Sequence, residues 1–161
     1  RGASGRLMFD GIPRDSRQEQ ALTPLLRGTG RDQDVRMVLL DLSRQEAADN
    51  IVYRGVVTGR KDDQNLDTVN TRLEGFYGKT MEVVKRYEER GQLLRVDARP
   101  QANISRATQV ERRIQELQAL ADLNGEAAEF ADLQAERAQL QPVIEQSKLV
   151  VYKRIMEALA A

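Results

Sequence analysis

An α/β fold, a parallel sheet flanked by helices, is what the sequence predicts, and three observations predict it. Leu7-Met8-Phe9 runs unbroken into Asp10, Val35–Leu42 is nearly all apolar, and Leu93-Leu94-Arg95-Val96-Asp97 is a third short apolar run. Runs of this length without polar alternation suit strands buried on both faces. Between them, apolar residues recur at helical spacing, and strands alternating with helices favour a parallel sheet.

The first strand is expected over residues 6–10, after a loose lead-in at 1–5. Gly11 lets the backbone turn sharply, and Pro13 fixes φ just before Arg14. Asp10 and Arg14 are thereby placed at the carboxyl end of a core strand, where open α/β sheets bind ligands. Residues 15–26 read as a short helix with Ala21, Leu22, Leu25 and Leu26 on one side, ended or kinked early by Pro24. The second strand, 35–42, reads as central. Ser43 and Glu46 form a capping box that opens a helix running to about Arg54. Gly55–Gly59 bridges to Arg60.

From Asp62, the apolar positions Leu66, Val69, Leu73, Phe76, Met81, Val84 and Tyr87 predict helix. Gly75 and Gly78 each cost about 1 kcal/mol relative to Ala inside a helix, so a break is expected near Gly78. Gly91 reads as a C-cap. Arg99-Pro100 is expected to open the next helix, with Ile104, Ala107, Val110, Ile114, Leu117 and Ala121 as its stripe. Beyond Asn124-Gly125 the chain turns rich in Ala, Gln, Glu and Leu. Residues 126–160 read as helix, with Phe130, Leu133, Leu140, Ile144, Val151 and Ile155 as a seam and Pro142 as a kink. The reading divides into 1–121 as a core and 122–161 as a C-terminal helical extension folding back on it. The heptad-like seam leaves a helical protein partner through 126–160 as the other reading.

Composition narrows the chemistry. The chain has 161 residues, enough for one domain with a real core. Lys and Arg number 25, as do Asp and Glu, so charge favours neither nucleic acid nor an anionic membrane as partner. With no cysteine and no histidine, disulfides, thiolate sites and the commonest zinc ligand and general base are all absent. No apolar run is long enough to span a bilayer and no signal peptide is visible, so a cytoplasmic location is the default expectation. The remaining inventory of Arg, Lys, Asp, Glu, hydroxyls and backbone suits phosphoryl transfer, which needs positioning and charge neutralisation more than covalent help.

Arginine suits that task because its planar fork gives bidentate hydrogen bonds to phosphate and keeps its proton. The candidates are Arg14 after the first strand, Arg54 and Arg60 on either lip of a short loop, and Arg72 on the following helix. Asp62 and Asp63 are expected to cap free N–H groups in a helix's first turn and to pair with the nearby arginines, not to do acid–base work.

The stretch Asp10-Gly11-Ile12-Pro13-Arg14 with Gln18, and Arg60-Lys61-Asp62-Asp63 with Arg72-Leu73, together resemble the adenylate kinase family of nucleoside monophosphate kinases. The later spacing Phe76…Thr80…Tyr87…Gly91…Val96-Asp97 resembles that family's ending too. The resemblance covers residues 6 to about 120. It implies a P-loop kinase sheet and reversible transfer of the terminal phosphoryl group of ATP to AMP or another nucleoside monophosphate. It implies that Gly11, Ile12 and Pro13 surround the monophosphate's base, that Gln18 meets the base edge and that Arg14 meets the α-phosphate. Arg54, Arg60 and Arg72 are implied as the catalytic clamp, with Arg60 and Arg72 on the monophosphate side and Arg54 on the ATP side. Arg99 is implied near the ATP base. Mg²⁺ is implied with ATP, Asp10 reaching it through water, and zinc is not.

The sequence also departs from that family. No G-x-x-x-x-G-K occurs, so the core is incomplete and 1–121 resembles a C-terminal part. Asn50 stands where the family often has a further arginine. The lid shrinks to 55–59. Without a phosphate cradle, this chain alone is expected to be inactive, and truncation at the N-terminus is the simplest expectation. The rival expectation is a non-catalytic, kinase-derived module that uses its C-terminal helices for protein interaction. Relatives of shikimate or gluconate kinase fit less well, lacking the R-K-D-D…R-L pairing.

Overall fold

The computed structural model describes residues 7–100, 102–120 and 126–160. The chain forms two compact units, residues 1–37 with 74–93 and residues 38–73 with 94–161.

The first unit contains α1 (Ser16–Gly28), a 3₁₀ turn (Asp32–Asp34), a π turn (Phe76–Thr80) and α5 (Met81–Glu89). Asp15 caps α1, its Oδ1 accepting from Gln18 N–H at 2.9 Å. Pro24 lies inside α1 without ending it, contrary to expectation. Val83, Val84 and Tyr87 bury one face of α5. Glu19 of α1 is buried beside Arg86 of α5 (2.6 Å) and Arg90, the residue that follows α5 (3.0 Å). Its Oε1 has no hydrogen bond within the protein, so the Arg90 contact is charge proximity without hydrogen-bond alignment. A buried charge is tolerated only when paired, and this pairing fixes how α1 crosses α5.

The second unit holds a two-stranded sheet, apart from the strands' first residues. Its strands are β1 (Met37–Asp41) and β2 (Leu93–Asp97). Met37 N–H bonds Gln92 O and Ala98 N–H bonds Asp41 O, so both strands advance together and the sheet is parallel. A parallel pair needs a long crossover, and the largely helical chain between Asp41 and Leu93 supplies it. The second and third expected strands form, but β1 is not central: Leu39 is buried and Leu40 exposed. The first expected strand is absent among its described residues. Residues 7–9 have no regular structure, Leu7, Met8 and Phe9 are exposed, and Asp10 sits in an exposed bend. An apolar run becomes a strand only when a neighbour takes its N–H and C=O groups, and among the described residues no strand pairs with residues 7–10.

Ser43 caps α2 (Arg44–Thr58) with the expected box: its Oγ accepts from Glu46 N–H and its own N–H donates to Glu46 Oε2 at 2.7 Å. The helix does not stop near Arg54. It continues to Thr58, so most of the interval read as a short bridge is helical. Side chains satisfy carbonyls near its C-terminal end: Gln64 Nε2 donates to Gly55 O and Gln115 Nε2 to Val56 O. Next come α3 (Lys61–Gln64) and α4 (Leu66–Gly75). At Gly78 the expected break is instead a π turn, Phe76–Thr80, which runs into α5.

The next helix starts later than Arg99-Pro100 suggests. Asn103 caps α6 (Ile104–Ala119), its Oδ1 accepting from Arg106 N–H. The expected stripe Ile104, Ala107, Val110, Ile114 and Leu117 is buried, while Ala121 lies outside the described residues. The last helix, α7 (Ala127–Ala160), passes through Pro142 as one element. It packs on α6, with Ile144 buried against Ile104 and Ala107, and Tyr53 and Leu140 at the margin. Ion pairs flank that seam: Arg106 with Glu136, Arg113 with Glu129 and Arg137 with the buried Glu111. Near the far end of α7, Arg154 donates to Asp97 O at 2.7 Å. Among the described residues no helix is long and apolar enough to cross a membrane.

Candidate functional site

Three of the sequence-nominated arginines meet at one carboxylate in the second unit. Asp63 of α3 has no exposed side-chain surface. Arg54 of α2 donates from Nε to Asp63 Oδ2 at 2.8 Å. Arg72 of α4 donates from Nη1 to Asp63 Oδ1. Arg60, the residue that caps α3, places Nε 3.5 Å from Asp63 Oδ2. Asp62, exposed, lies 3.6 Å from Arg72. Helices α2 and α4 and the residue that precedes α3 thus deliver three guanidiniums to one buried anchor.

The anchor reaches this place because α3 lies directly on α2. A Cβ on Gly55 would stand 2.8 Å from the Asp63 carbonyl carbon and 2.9 Å from its Cβ. Only glycine admits that approach. The Arg54 hydrogen bond holds the Asp63 carboxyl below the usual carboxylate range; burial opposes this, and the Arg72 bond adds to it. Asp63 is therefore an ionised anchor at neutral pH.

The arginines themselves stay open to solvent. Side-chain exposure is 51% for Arg54, 55% for Arg60 and 38% for Arg72, so each has donors facing outward. Among the described residues, Arg54 and Arg60 have no carboxylate partner besides Asp63. Three guanidiniums against two carboxylates leave a net positive face. Such an arrangement receives an anion with several oxygens without having to organise its donors first. The pairing role expected for Asp62 and Asp63 is observed; no side-chain cap at the start of α3 accompanies it.

The first unit carries the other nominated group. Gly11 has φ +69°, and an added Cβ would collide with the Arg14 guanidinium. Arg14 Nε donates to Gly11 O at 2.5 Å, and Arg14 N–H donates to Gln18 Oε1 at 2.7 Å. Pro13 is buried, while Ile12, Arg14 and Gln18 are exposed. Gln18 thus commits its carbonyl oxygen to the loop and keeps its amide nitrogen as an outward donor.

Arg99 is differently placed. Its guanidinium closes on Asp97 through both oxygens, at 2.9 and 2.8 Å. This fork, with the Arg99 N–H and then the Arg154 charge, holds the Asp97 carboxyl far below its usual range and raises the Arg99 guanidinium. Arg99 thus closes on a carboxylate of its own, apart from the three arginines gathered at Asp63. Asp10 sits in an exposed bend, and among the described residues no group of three acidic side chains could hold a metal ion. These side chains alone do not fit a protein-held Mg²⁺ site.

Sequence reasoning gave no role to Gly55, Thr80 or Arg154. Gly55 makes room for the Asp63 backbone, Thr80 bonds a carbonyl 66 residues away, and Arg154 acts from the extension. Thr80 left a trace, being part of the quoted spacing; Gly55 left only a small residue between Arg54 and Val56.

The chain is similar in sequence to curated adenylate kinases. It is 42% identical over 92 residues to one from Thermus thermophilus, covering 57% of this chain and 48% of the relative. It is 35% identical over 95 residues to that of Maricaulis maris, covering 59% and 50%. It is 38% identical over 90 residues to one from Xanthomonas campestris pv. campestris, covering 56% and 47%. The chain spans about half the length of the curated relatives it matches. No family model matches it, and no solved structure does. These identities support an adenylate kinase family relationship.

Proposed function

We propose that this chain is part of a nucleoside monophosphate kinase of the adenylate kinase type, moving the terminal phosphoryl group of ATP to AMP or a related monophosphate. The observation that carries the reading is the convergence of Arg54, Arg60 and Arg72 on the buried Asp63. Transfer between two nucleotides brings two polyanionic tails together, and their repulsion must be cancelled as charge spreads over the transferred group. In this reading the three guanidiniums straddle the phosphates, Arg60 and Arg72 toward the monophosphate and Arg54 toward ATP. Asp63 holds them in place and takes no proton. Gly11, Ile12 and Pro13 border the base of the monophosphate, the Gln18 amide faces its edge, and Arg14 takes its phosphate. Arg99, turned onto Asp97, borders the ATP base by its outer edge. Mg²⁺ is carried by the nucleotide phosphates, and no step is assigned to Asp10.

The test is ADP formation from ATP and AMP, run on this chain and on one extended by a Gly-rich phosphate loop. The extended chain is expected to be active. In it Arg60→Ala and Arg72→Ala should each lower turnover at least about tenfold, as loss of a transition-state donor does. Unchanged turnover in both variants would remove the cluster from the site.

The exposed Leu149, Tyr152 and Met156 on α7 favour a second reading, a non-catalytic module that binds a helical partner there. That reading expects no ADP from either chain.

A further inference from the structure

Four helical threonines in this chain share a habit. Thr23, Thr58, Thr71 and Thr108 each donate their hydroxyl to the carbonyl four residues back, the usual local bond for threonine in a helix. Thr80 breaks it. Its Oγ1 donates at 2.9 Å to the carbonyl of Arg14, 66 residues away in sequence. The cause is the π turn that Thr80 closes, in which Met81 N–H bonds Phe76 O, five residues back. The extra residue in that turn changes the side of the helix that Thr80 faces, and π turns often mark functional positions.

The result is an arginine held at each polar backbone atom. The Arg14 N–H is taken by Gln18 Oε1, the Arg14 carbonyl by Thr80, and the first polar atom of its side chain by Gly11 O. Little freedom remains upstream of the guanidinium.

We propose that Thr80 is a positioning residue for Arg14, aiming its guanidinium at the phosphate of a bound nucleoside monophosphate. This rests on reading the Gly11–Gln18 segment as the monophosphate site. Thr80 touches no substrate; it acts through the Arg14 carbonyl. Its contribution is preorganisation, so its loss weakens contact with the phosphate and leaves contact with the nucleoside intact.

The test is calorimetric titration of this chain with AMP and, separately, with adenosine. Thr80→Val keeps the shape and removes the donor; Thr80→Ser keeps the donor. Thr80→Val should weaken AMP roughly fivefold to tenfold, about the worth of one net hydrogen bond. Adenosine affinity should stay unchanged, and Thr80→Ser should bind AMP like the unmodified chain. If Thr80→Val does not fold, Thr80→Ala is read in its place. Equal weakening of AMP and adenosine would reduce Thr80 to a prop for the loop and overturn the inference. So would a Thr80→Val chain that binds AMP as tightly as the unmodified one. Failure of the unmodified chain to bind AMP at all would overturn the monophosphate reading itself, and the inference with it.

Discussion

Asp63 is where a single residue decides most. It is fully buried, ionised and shared by three arginines that solvent still reaches. Replacing it with Asn keeps the shape and removes the charge. Because the guanidiniums are screened by water, the expected loss is about 1–3 kcal/mol, below that for a fully buried pair. The sign of its pH dependence follows from the lowered folded-state value. The unfolded chain takes up the proton first as pH falls, so the stabilisation is complete above the ordinary carboxylate range and drains away on acidification through the lower, folded value. Chemical denaturation should therefore show the full gap between the unmodified chain and Asp63→Asn at neutral pH, and a narrowing gap below about pH 4. A gap that stays constant far below that range would mean that the carboxylate's charge is not what stabilises the cluster. Part of this was legible in the sequence: Arg54, Asp63 and Arg72 stand nine residues apart on either side, and pairing between the acids and arginines was expected. Thr80 was not legible in this way, because its partner is a backbone carbonyl in a distant loop.

At the scale of elements, the contact of α2 with α3 sets the geometry of the arginines. Gly55→Ala inserts a methyl group where the Asp63 backbone already stands. Overpacking of this kind typically costs about 1–3 kcal/mol, and here it must also push α3 away from Arg54. Both a lower melting temperature and weaker phosphate binding are expected, measured by thermal denaturation and by titration with a nucleoside monophosphate. An unchanged melting temperature would show that α3 yields freely. Elements whose burial is set by their own periodicity were readable in advance. The α6 stripe, from Ile104 to Leu117, is the clearest case, and the cap at Ser43 is another. The C-terminal end of α2 and the start of α6 were misread because their limits depend on neighbours: Gln64 and Gln115 satisfy carbonyls in the last turn of α2, and Asn103 supplies the cap for α6. The run Leu7-Met8-Phe9 failed as a strand for the same reason. Residue type announces a preference, but a ladder needs a partner.

For the whole molecule, charge balance sets solution behaviour. Twenty-five basic and 25 acidic side chains with no histidine leave almost nothing to titrate between the carboxylate and amine ranges. Net charge stays near zero across neutral pH, and weak mutual repulsion favours association. A broad solubility minimum spanning roughly pH 6 to 8 is expected, to be followed by light scattering or precipitant titration; a sharp minimum would contradict it. Much of the charge is engaged internally, as along α6 and α7, where arginines and glutamates alternate across the seam.

The bond from Arg154 to the Asp97 carbonyl gives the far end of the polypeptide an unexpected weight. A chain trimmed just ahead of that arginine would look harmless on a sequence diagram. It would nonetheless remove the side-chain partner of a backbone carbonyl at the end of β2.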